Sequence, residues 1–162
     1  MKVIIISANI NSGKTTYAKN LIREDRSKYL GFLSFSNKEK NSFYLNDITN
    51  DEKIPLMDEC YDQSLERMGR FYIRQGAFKA AHDSLLNQLE ADSNKIAVID
   101  EVGRLELCGK GFNELLRDLL MKHISMLLCI RKCFVADVIK SYGLDRFELE
   151  IIEIPYKEEL NK

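Results

Sequence analysis

The first residues whose types and spacing suit chemistry are Gly13-Lys14-Thr15-Thr16, which follow an apolar run at the start of the chain. A lysine ammonium and a threonine hydroxyl behind a turn of backbone N–H groups suit a phosphate and its metal ion. The loop template G-x-x-x-x-G-K-[ST] fits residues 8–15, with Ala8 in place of the first glycine. The spacing therefore predicts a phosphate-binding loop of the Walker A type.

This loop contains a single glycine, Gly13, so other residue types have to supply part of its backbone geometry. Asn11 occupies a position where many such loops carry glycine, and asparagine adopts positive φ at low cost. Lys14 is expected to reach the β- and γ-phosphates, and the Thr15 hydroxyl is expected to ligate Mg²⁺. The residues predicted to bind the nucleotide are Ala8, Asn9, Ile10, Asn11, Ser12, Gly13, Lys14, Thr15 and Thr16.

A pair of acids, Asp100 and Glu101, supplies the second half of the predicted site. The apolar run before them indicates a buried strand, which delivers both acids to the edge where ligands of open α/β sheets bind. Asp100 is predicted to hold Mg²⁺ through its water shell, together with Thr15. Glu101 is predicted to point the other way and to polarise the water that attacks the γ-phosphate.

The order of these two acids also indicates how the strands are arranged in the sheet and which molecule accepts the phosphoryl group. An acid directly after the metal-binding aspartate of the Walker B strand is typical of P-loop ATPases in which an extra strand separates the two motif strands. The same pattern favours water as the acceptor over the alcohol or amine of a kinase substrate. Glu101 therefore predicts hydrolysis.

The elements that must position these residues alternate between strand and helix patterns. This alternation predicts the α/β class, with a three-layer α/β/α P-loop NTPase fold in one domain, 1–162. The sheet is expected to be mostly parallel, with a strand between the Walker A and Walker B strands and antiparallel edge strands. Pro55 and the acidic pair Asp58-Glu59 predict a break in the chain. The predicted strands cover residues 2–7, 30–35, 42–48, 70–73, 95–100, 125–130 and 150–154, and the predicted helices cover 15–26, 75–90, 112–120 and 135–142.

Composition excludes several other classes of partner. The formal net charge of −1 and the shortness of basic pairs such as Arg131-Lys132 argue against a nucleic-acid partner. No run approaches the roughly 20 apolar residues of a membrane-spanning helix, so no membrane partner is expected and a cytoplasmic location is predicted. Four cysteines without CxxC or zinc spacing are predicted to be reduced and structural, namely Cys60, Cys108, Cys129 and Cys133.

Four segments of the chain resemble the small P-loop nucleoside-triphosphatases of the THEP type. They are GKTT (13–16), GFLSF (31–35), RMGRFYIRQGAFKAA (67–81) and IDEVGRLEL (99–107), in the family's order. The last of them resembles the family stretch D-E-[IV]-G-x-M-E-L and is the most specific. The resemblance implies hydrolysis of nucleoside triphosphates to diphosphates and phosphate with Mg²⁺, and it gives Lys14, Thr15, Asp100 and Glu101 the roles described above.

The resemblance also implies that Arg70 and Glu106 matter to the site. Arg70 is predicted to be catalytic alongside Lys14 and Glu101, because its guanidinium could stabilise charge that develops on the γ-phosphate. Glu106 could orient a water or a basic side chain, or its role could be purely structural. Arg104 is a second candidate for charge stabilisation.

The chain departs from the family pattern in two places. Family loops usually read G-x-P-G-x-G-K-T-T, whereas this chain has Ala8, Ile10 and Asn11 in place of glycine, proline and glycine. After GFLSF the family continues with an acidic-arginine pattern such as E-V-R, whereas this chain has Ser36-Asn37-Lys38-Glu39. These differences concern base preference, turnover and loop closure, and they remove no phosphate- or metal-binding group.

Two alternatives to a nucleoside-triphosphatase stay open from the sequence. A nucleotide or nucleoside kinase would need an arginine-rich lid, and Arg67, Arg70 and Arg74 are the nearest residues to one. A nucleotide-dependent switch would change a partner surface or its oligomeric state without meaningful turnover. The base preference also stays open, with Tyr44 and Tyr156 as candidates for base recognition.

Overall fold

The computed structural model describes residues 1–155, and Tyr156 lies outside them. Within these residues the chain forms one nine-stranded sheet with helices on both faces. The strands are β1 (Lys2–Ala8), β2 (Tyr29–Ser36), β3 (Ser42–Asp47), β4 (Lys53–Asp58), β5 (Glu66–Met68), β6 (Phe71–Ile73), β7 (Ile96–Val102), β8 (Met126–Arg131) and β9 (Glu148–Glu153). The helices are α1 (Lys14–Glu24), α2 (Gln75–Ala91), α3 (Arg104–Leu107), α4 (Asn113–Met121) and α5 (Val135–Tyr142).

The strand order is β5-β6-β4-β3-β2-β7-β8-β1-β9. Strands β2, β7, β8, β1 and β9 pair in parallel, whereas β3, β4, β6 and β5 extend the sheet by antiparallel pairs and form the antiparallel wing. β8 lies between β1, which leads into the phosphate-binding loop, and β7, which carries Asp100. The predicted fold with a strand between the two motif strands is therefore confirmed. The antiparallel part comprises the strands β3 to β6 and thus extends further than the edge strands that the sequence predicted.

The core explains why the central strands are apolar without interruption. In β1, Ile4 and Ile6 pack with Ala18 of α1 on one face. Val3 and Ile5 belong to the larger core on the opposite face, which includes residues of α2, α4 and α5. Because side chains alternate across a strand, covering both faces requires a continuous apolar run. None of the helices in residues 1–155 is long and apolar enough to cross a membrane.

Pro55 lies inside strand β4, where the sequence predicted a break. Beside it, the pairing of β3 with β4 shifts between Phe43 and Tyr44, which marks a β-bulge. On its other side, β4 pairs with β6 only at Met57 and Asp58. Proline lacks a backbone N–H and is tolerated at a bulge or at an unpaired edge. The prediction of a break at Pro55 was wrong because both conditions hold here, whereas the break predicted at Asp58-Glu59 is confirmed, since β4 ends at Asp58.

Gly31 sets the close approach of β2 to β7, and we expect Gly31→Ala to destabilise the protein. Its φ is +117°, and a Cβ atom here would overlap the carbonyl oxygen of Val98 and lie 2.9 Å from the Val98 nitrogen. The variant should lower the free energy of unfolding by about 3 kcal/mol or more, because both the overlap and the positive φ are unfavourable. Urea unfolding measures this loss.

The matched control is Gly76→Ala in helix α2, where an added Cβ meets no atom within 4 Å. Alanine favours a helix over glycine by roughly 1 kcal/mol, so this variant should be as stable as the wild type or slightly more stable. Equal stabilities for the variants at Gly31 and Gly76 would contradict the assigned contact.

Candidate active site

The phosphate-binding loop connects β1 to α1 and contains two residues in the left-handed region. Asn11 has φ +57° and Gly13 has φ +85°, so asparagine takes the conformation that the sequence predicted for it. Among the described residues, a Cβ atom at Gly13 would meet nothing within 4 Å. Glycine is therefore favoured at this position by its backbone angle, and the space beside it is open to a phosphate.

Lys14 begins helix α1 and is held inside the loop. Its side chain is buried, with 5% exposure for the residue, and its Nζ lies 3.4 Å from the carbonyl oxygen of Asn9. Within residues 1–155 no side chain caps the first turn of α1. The N–H groups of that turn and the helix dipole thus stay available to an anion next to the lysine ammonium.

Asp100 lies near the end of β7 and is 1% exposed. Its carboxylate accepts hydrogen bonds from the Thr15 hydroxyl at 2.7 Å, from the Ser34 N–H at 3.0 Å and from the Glu101 N–H at 2.9 Å. Burial raises the pKa of Asp100, and the hydrogen bond from Thr15 opposes that shift. The two residues predicted to serve the metal are thus in direct contact, although 85 positions separate them in the chain.

The contacts of Asp100 fit a divalent cation. Its hydrogen-bond partners are a hydroxyl and two backbone N–H groups rather than a charged side chain. A buried carboxylate requires a counter-charge or a proton, and hydroxyl and carboxylate oxygens are the ligands that Mg²⁺ prefers. Thr15 and Asp100 therefore form a donor set suited to Mg²⁺ below the phosphate-binding loop.

Glu101 follows Asp100 with an unusual backbone. Its φ is +64°, and the pairing of β7 with β8 shifts between Ile99 and Val102, which places Glu101 in a β-bulge. The side chain is 45% exposed, and its Oε2 lies 3.5 Å from the guanidinium of Arg131. Strained backbone of this kind clusters at functional sites, which supports the role predicted for Glu101.

Arg131 lies beside the candidate site, at 3.5 Å from Glu101, and the sequence did not reveal this placement. It ends β8 and is in register with Ala8, the first residue of the loop. In the sequence, Arg131 stands out only as part of the short basic pair Arg131-Lys132. The available signal was its place after an apolar strand, because the carboxyl ends of neighbouring parallel strands meet at one sheet edge.

Arg70 lies away from the loop, on the turn between β5 and β6 in the antiparallel wing. Its guanidinium lies 2.8 Å from Glu59 and 3.3 Å from the carbonyl oxygen of Lys40, and it stacks over the Phe71 ring. Strands β4, β3 and β2 separate β6 from β7, which corresponds to roughly 20 Å from Asp100 at ordinary strand spacing. The structure does not bring Arg70 to the other site residues, and its catalytic role stays a prediction.

Other residues considered for a lid or for base recognition also have partners outside the loop. Arg67 donates to a backbone carbonyl at 2.8 Å, and Arg74 pairs with Asp58 at 2.9 Å. Tyr44 stacks on Phe35 with ring centroids 6.0 Å apart. These arginines therefore form no cluster over the phosphate-binding loop in the described part of the chain.

Glu106 organises the segment that follows β7. It is 3% exposed, and its two carboxylate oxygens accept the N–H groups of Gly103 at 2.8 Å and of Phe112 at 3.0 Å. Its carbonyl oxygen accepts the Tyr142 hydroxyl at 3.0 Å. Burial raises the pKa of Glu106, while the two backbone donors oppose this shift. These contacts support the structural role, and the neighbouring Arg104 is exposed.

We expect Glu106→Gln to destabilise the folded protein by about 1–3 kcal/mol. The glutamine NH₂ group cannot accept a hydrogen bond, so one of the two buried N–H groups that Glu106 now accepts would lose its acceptor. Thermal and urea unfolding measure this loss. Glu39→Gln, at an exposed turn position, is the matched control and should change stability by less than about 0.5 kcal/mol. A loss at Glu106 no larger than that of the control would mean that the buried carboxylate does not fix the segment.

Comparisons with known proteins agree with this architecture. A family model described as NTPase matches residues 3–155. The nucleoside-triphosphatase THEP1 of Aquifex aeolicus is 25% identical over 126 residues, covering 72% of this chain and 70% of that protein. The crystal structure of THEP1 from the same hyperthermophile matches with a TM-score of 0.72 at 21% identity, covering 99% of this chain and 93% of the other. The solution structure of a human cancer-related nucleoside triphosphatase matches with a TM-score of 0.73 at 14% identity and the same coverage, 99% and 93%.

Proposed function

The chain belongs to the NTPase family and is a nucleoside-triphosphate phosphohydrolase, and we propose that it works with Mg²⁺ at the site formed by the phosphate-binding loop and Asp100. The THEP-type resemblance stated from the sequence is confirmed by the family match. The observation that carries the proposed site is the 2.7 Å hydrogen bond between Thr15 and Asp100. This contact joins the start of α1 to the end of β7, at the place where the triphosphate and its cation would meet.

Binding of the triphosphate would use the loop and the start of α1. The first-turn N–H groups and the left-handed turn at Gly13 would contact phosphate oxygens, and Lys14 would reach the β- and γ-phosphates. In the free protein the Lys14 ammonium lies beside a backbone carbonyl, which a phosphate oxygen would replace as its partner. The charge of the phosphates would thus be neutralised by groups that are already in place.

The cation would be held by the Thr15 hydroxyl directly and by Asp100 through water. When bound, Mg²⁺ supplies charge neutralisation on the β- and γ-phosphate oxygens. Asp100 contributes by orienting the Thr15 hydroxyl, and the hydrogen bond from the Ser34 N–H holds the carboxylate in place. Strand β2 therefore contributes to the site through its backbone.

Hydrolysis would then proceed by attack of a water oxygen on the γ-phosphorus. Glu101 is the proposed residue that orients this water and accepts its proton, since its carboxylate is exposed at the same sheet edge. The bond from the γ-phosphorus to the β–γ bridging oxygen breaks, and the nucleoside diphosphate leaves with the electron pair. The products are a nucleoside diphosphate and inorganic phosphate.

Release of phosphate from ATP, GTP, CTP and UTP, each with Mg²⁺ and with EDTA, tests this proposal. We expect release from several nucleotides, because the proposed site offers groups for the phosphates and the cation rather than for a base. EDTA should lower the rate at least about 100-fold, since the cation carries much of the charge neutralisation. Tight nucleotide binding without release would instead favour a switch, and loss of triphosphate only with an added acceptor would favour a kinase.

Other features inferred from the sequence stay predictions. They are one domain over residues 1–162, a cytoplasmic location, and the lack of a nucleic-acid or membrane partner.

A further inference from the structure

Arg131 stands at the point where the two halves of the site meet. Two residues before it in β8, Cys129 packs in the core between the sheet and α1. Because side chains alternate along a strand, Arg131 projects from this same face, one pleat nearer the carboxyl edge. Its in-register neighbour on β1 is Ala8, the first residue of the phosphate-binding loop. An arginine is thus placed beside the loop on the side that faces α1.

The partner of Arg131 in this structure is Glu101, the residue proposed to orient the attacking water. The nitrogen–oxygen distance is 3.5 Å, and the two side chains are 43% and 45% exposed. A charge-assisted hydrogen bond is shorter, at about 2.7–2.9 Å, and exposed ion pairs contribute little free energy. A more highly charged anion in bidentate reach would therefore compete well for the Arg131 guanidinium.

The neighbouring residue shows that this placement is specific to one side chain. Lys132 lies next to Arg131 in the sequence, and its ammonium pairs with Glu153 of β9 at 3.0 Å. The two basic residues of this pair are therefore directed to different partners. This makes Lys132 a matched control for the loss of a positive charge at the same edge.

We propose that Arg131 is a γ-phosphate-binding residue that Glu101 holds in the nucleotide-free protein. On binding of a triphosphate, the guanidinium leaves the Glu101 carboxylate and pairs with the γ-phosphate. Glu101 is then free to accept a hydrogen bond from water. The inference depends on the proposed function. The exchange of partners makes the water-orienting carboxylate available only when a γ-phosphate is present. A diphosphate, which has no γ-phosphate, leaves the Arg131–Glu101 pair intact.

Equilibrium binding of ADP and of the non-hydrolysable β,γ-imido analogue of ATP, both with Mg²⁺, tests this exchange. Arg131→Ala should weaken binding of the analogue about 10- to 100-fold, because a charge-assisted contact is lost, and should leave ADP binding unchanged. Arg131→Lys should restore part of the loss. Lys132→Ala should change neither affinity, and calorimetry of each variant checks that it is folded.

Glu101→Gln is the second variant in this binding experiment, because it removes the negative charge that competes for the Arg131 guanidinium. It should tighten binding of the analogue about two- to fivefold and leave ADP unchanged, in keeping with the small energy of an exposed ion pair. In the Arg131→Ala background, this gain should vanish, since the two residues act as one coupled pair. A merely structural role for Arg131 would not produce this dependence on Glu101.

The outcomes separate this inference from the proposed function. Wild-type protein that binds neither nucleotide would overturn both. Normal binding by the wild type, with equal effects of Arg131→Ala on the analogue and on ADP, would overturn the inference alone. Loss of analogue binding in Arg131→Ala, without any gain of analogue affinity in Glu101→Gln, would contradict the proposal that Glu101 holds Arg131 in the nucleotide-free protein.

Discussion

Replacement of Lys14 by alanine is expected to lower ATP turnover by at least about 100-fold, the effect of removing one preorganised charge from a phosphoryl-transfer site. The Lys14 ammonium is buried within the loop, beside the carbonyl of Asn9 and next to the uncapped first turn of α1. No water can replace a fixed positive charge there without a loss of transition-state stabilisation. The measurement is steady-state phosphate release at saturating ATP and Mg²⁺.

Lys19→Ala is the matched control, since Lys19 lies on the same helix and its ammonium is 5.5 Å from the centroid of the Phe35 ring. Its turnover should stay close to that of the wild type. Removal of the buried Lys14 charge is not expected to unfold the protein, and thermal unfolding of both variants establishes this point. If Lys14→Ala turned over ATP at the rate of Lys19→Ala, the phosphate-binding loop would have no part in the mechanism.

The second large effect is expected for Glu101→Gln. Glutamine keeps the size of the side chain and the backbone bulge, but its amide is a far weaker base than a carboxylate. Phosphate release should fall by about 10²–10⁴-fold, the range for loss of a general base, while nucleotide remains bound. Single-turnover hydrolysis measures the chemical step, and equilibrium binding measures the retained affinity.

Glu153→Gln is the control for Glu101→Gln, because Glu153 lies at the end of β9 and pairs with Lys132 rather than with a site residue. Its hydrolysis rate should equal that of the wild type. Hydrolysis by Glu101→Gln at the wild-type rate would falsify the assignment of the base. In that case the positive φ of Glu101 would serve only to shape the strand end.

Part of the site has strong local signals in the sequence, and these require no knowledge of distant contacts. A glycine, a lysine and a threonine at fixed spacing after an apolar strand specify a phosphate-binding turn, because the backbone and its neighbours determine that geometry. Asn11 was predicted to replace glycine, and its φ of +57° agrees. Asp100 was likewise placed at a sheet edge by the apolar run before it.

Short or context-dependent elements were not predictable in this way. Helix α3 has four residues and strand β5 has three, which is too short for a hydrophobic period to show. Pro55 was expected to break the chain, but a bulge and an unpaired neighbour accommodate it within β4. Such features depend on how strands pair, and pairing involves residues far apart in the sequence.

The sequence by itself thus determined the phosphate-binding loop and the acid pair, because each is written in contiguous residues. It also determined the fold class and the family, because these follow from the order of short segments along the chain. Tertiary structure alone decided which distant charges meet. It brought Arg131 to 3.5 Å from Glu101, and it left Arg70 in the antiparallel wing beside Glu59. The physical reason is that the order of strands in the sheet, rather than spacing along the chain, sets which strand ends share an edge position.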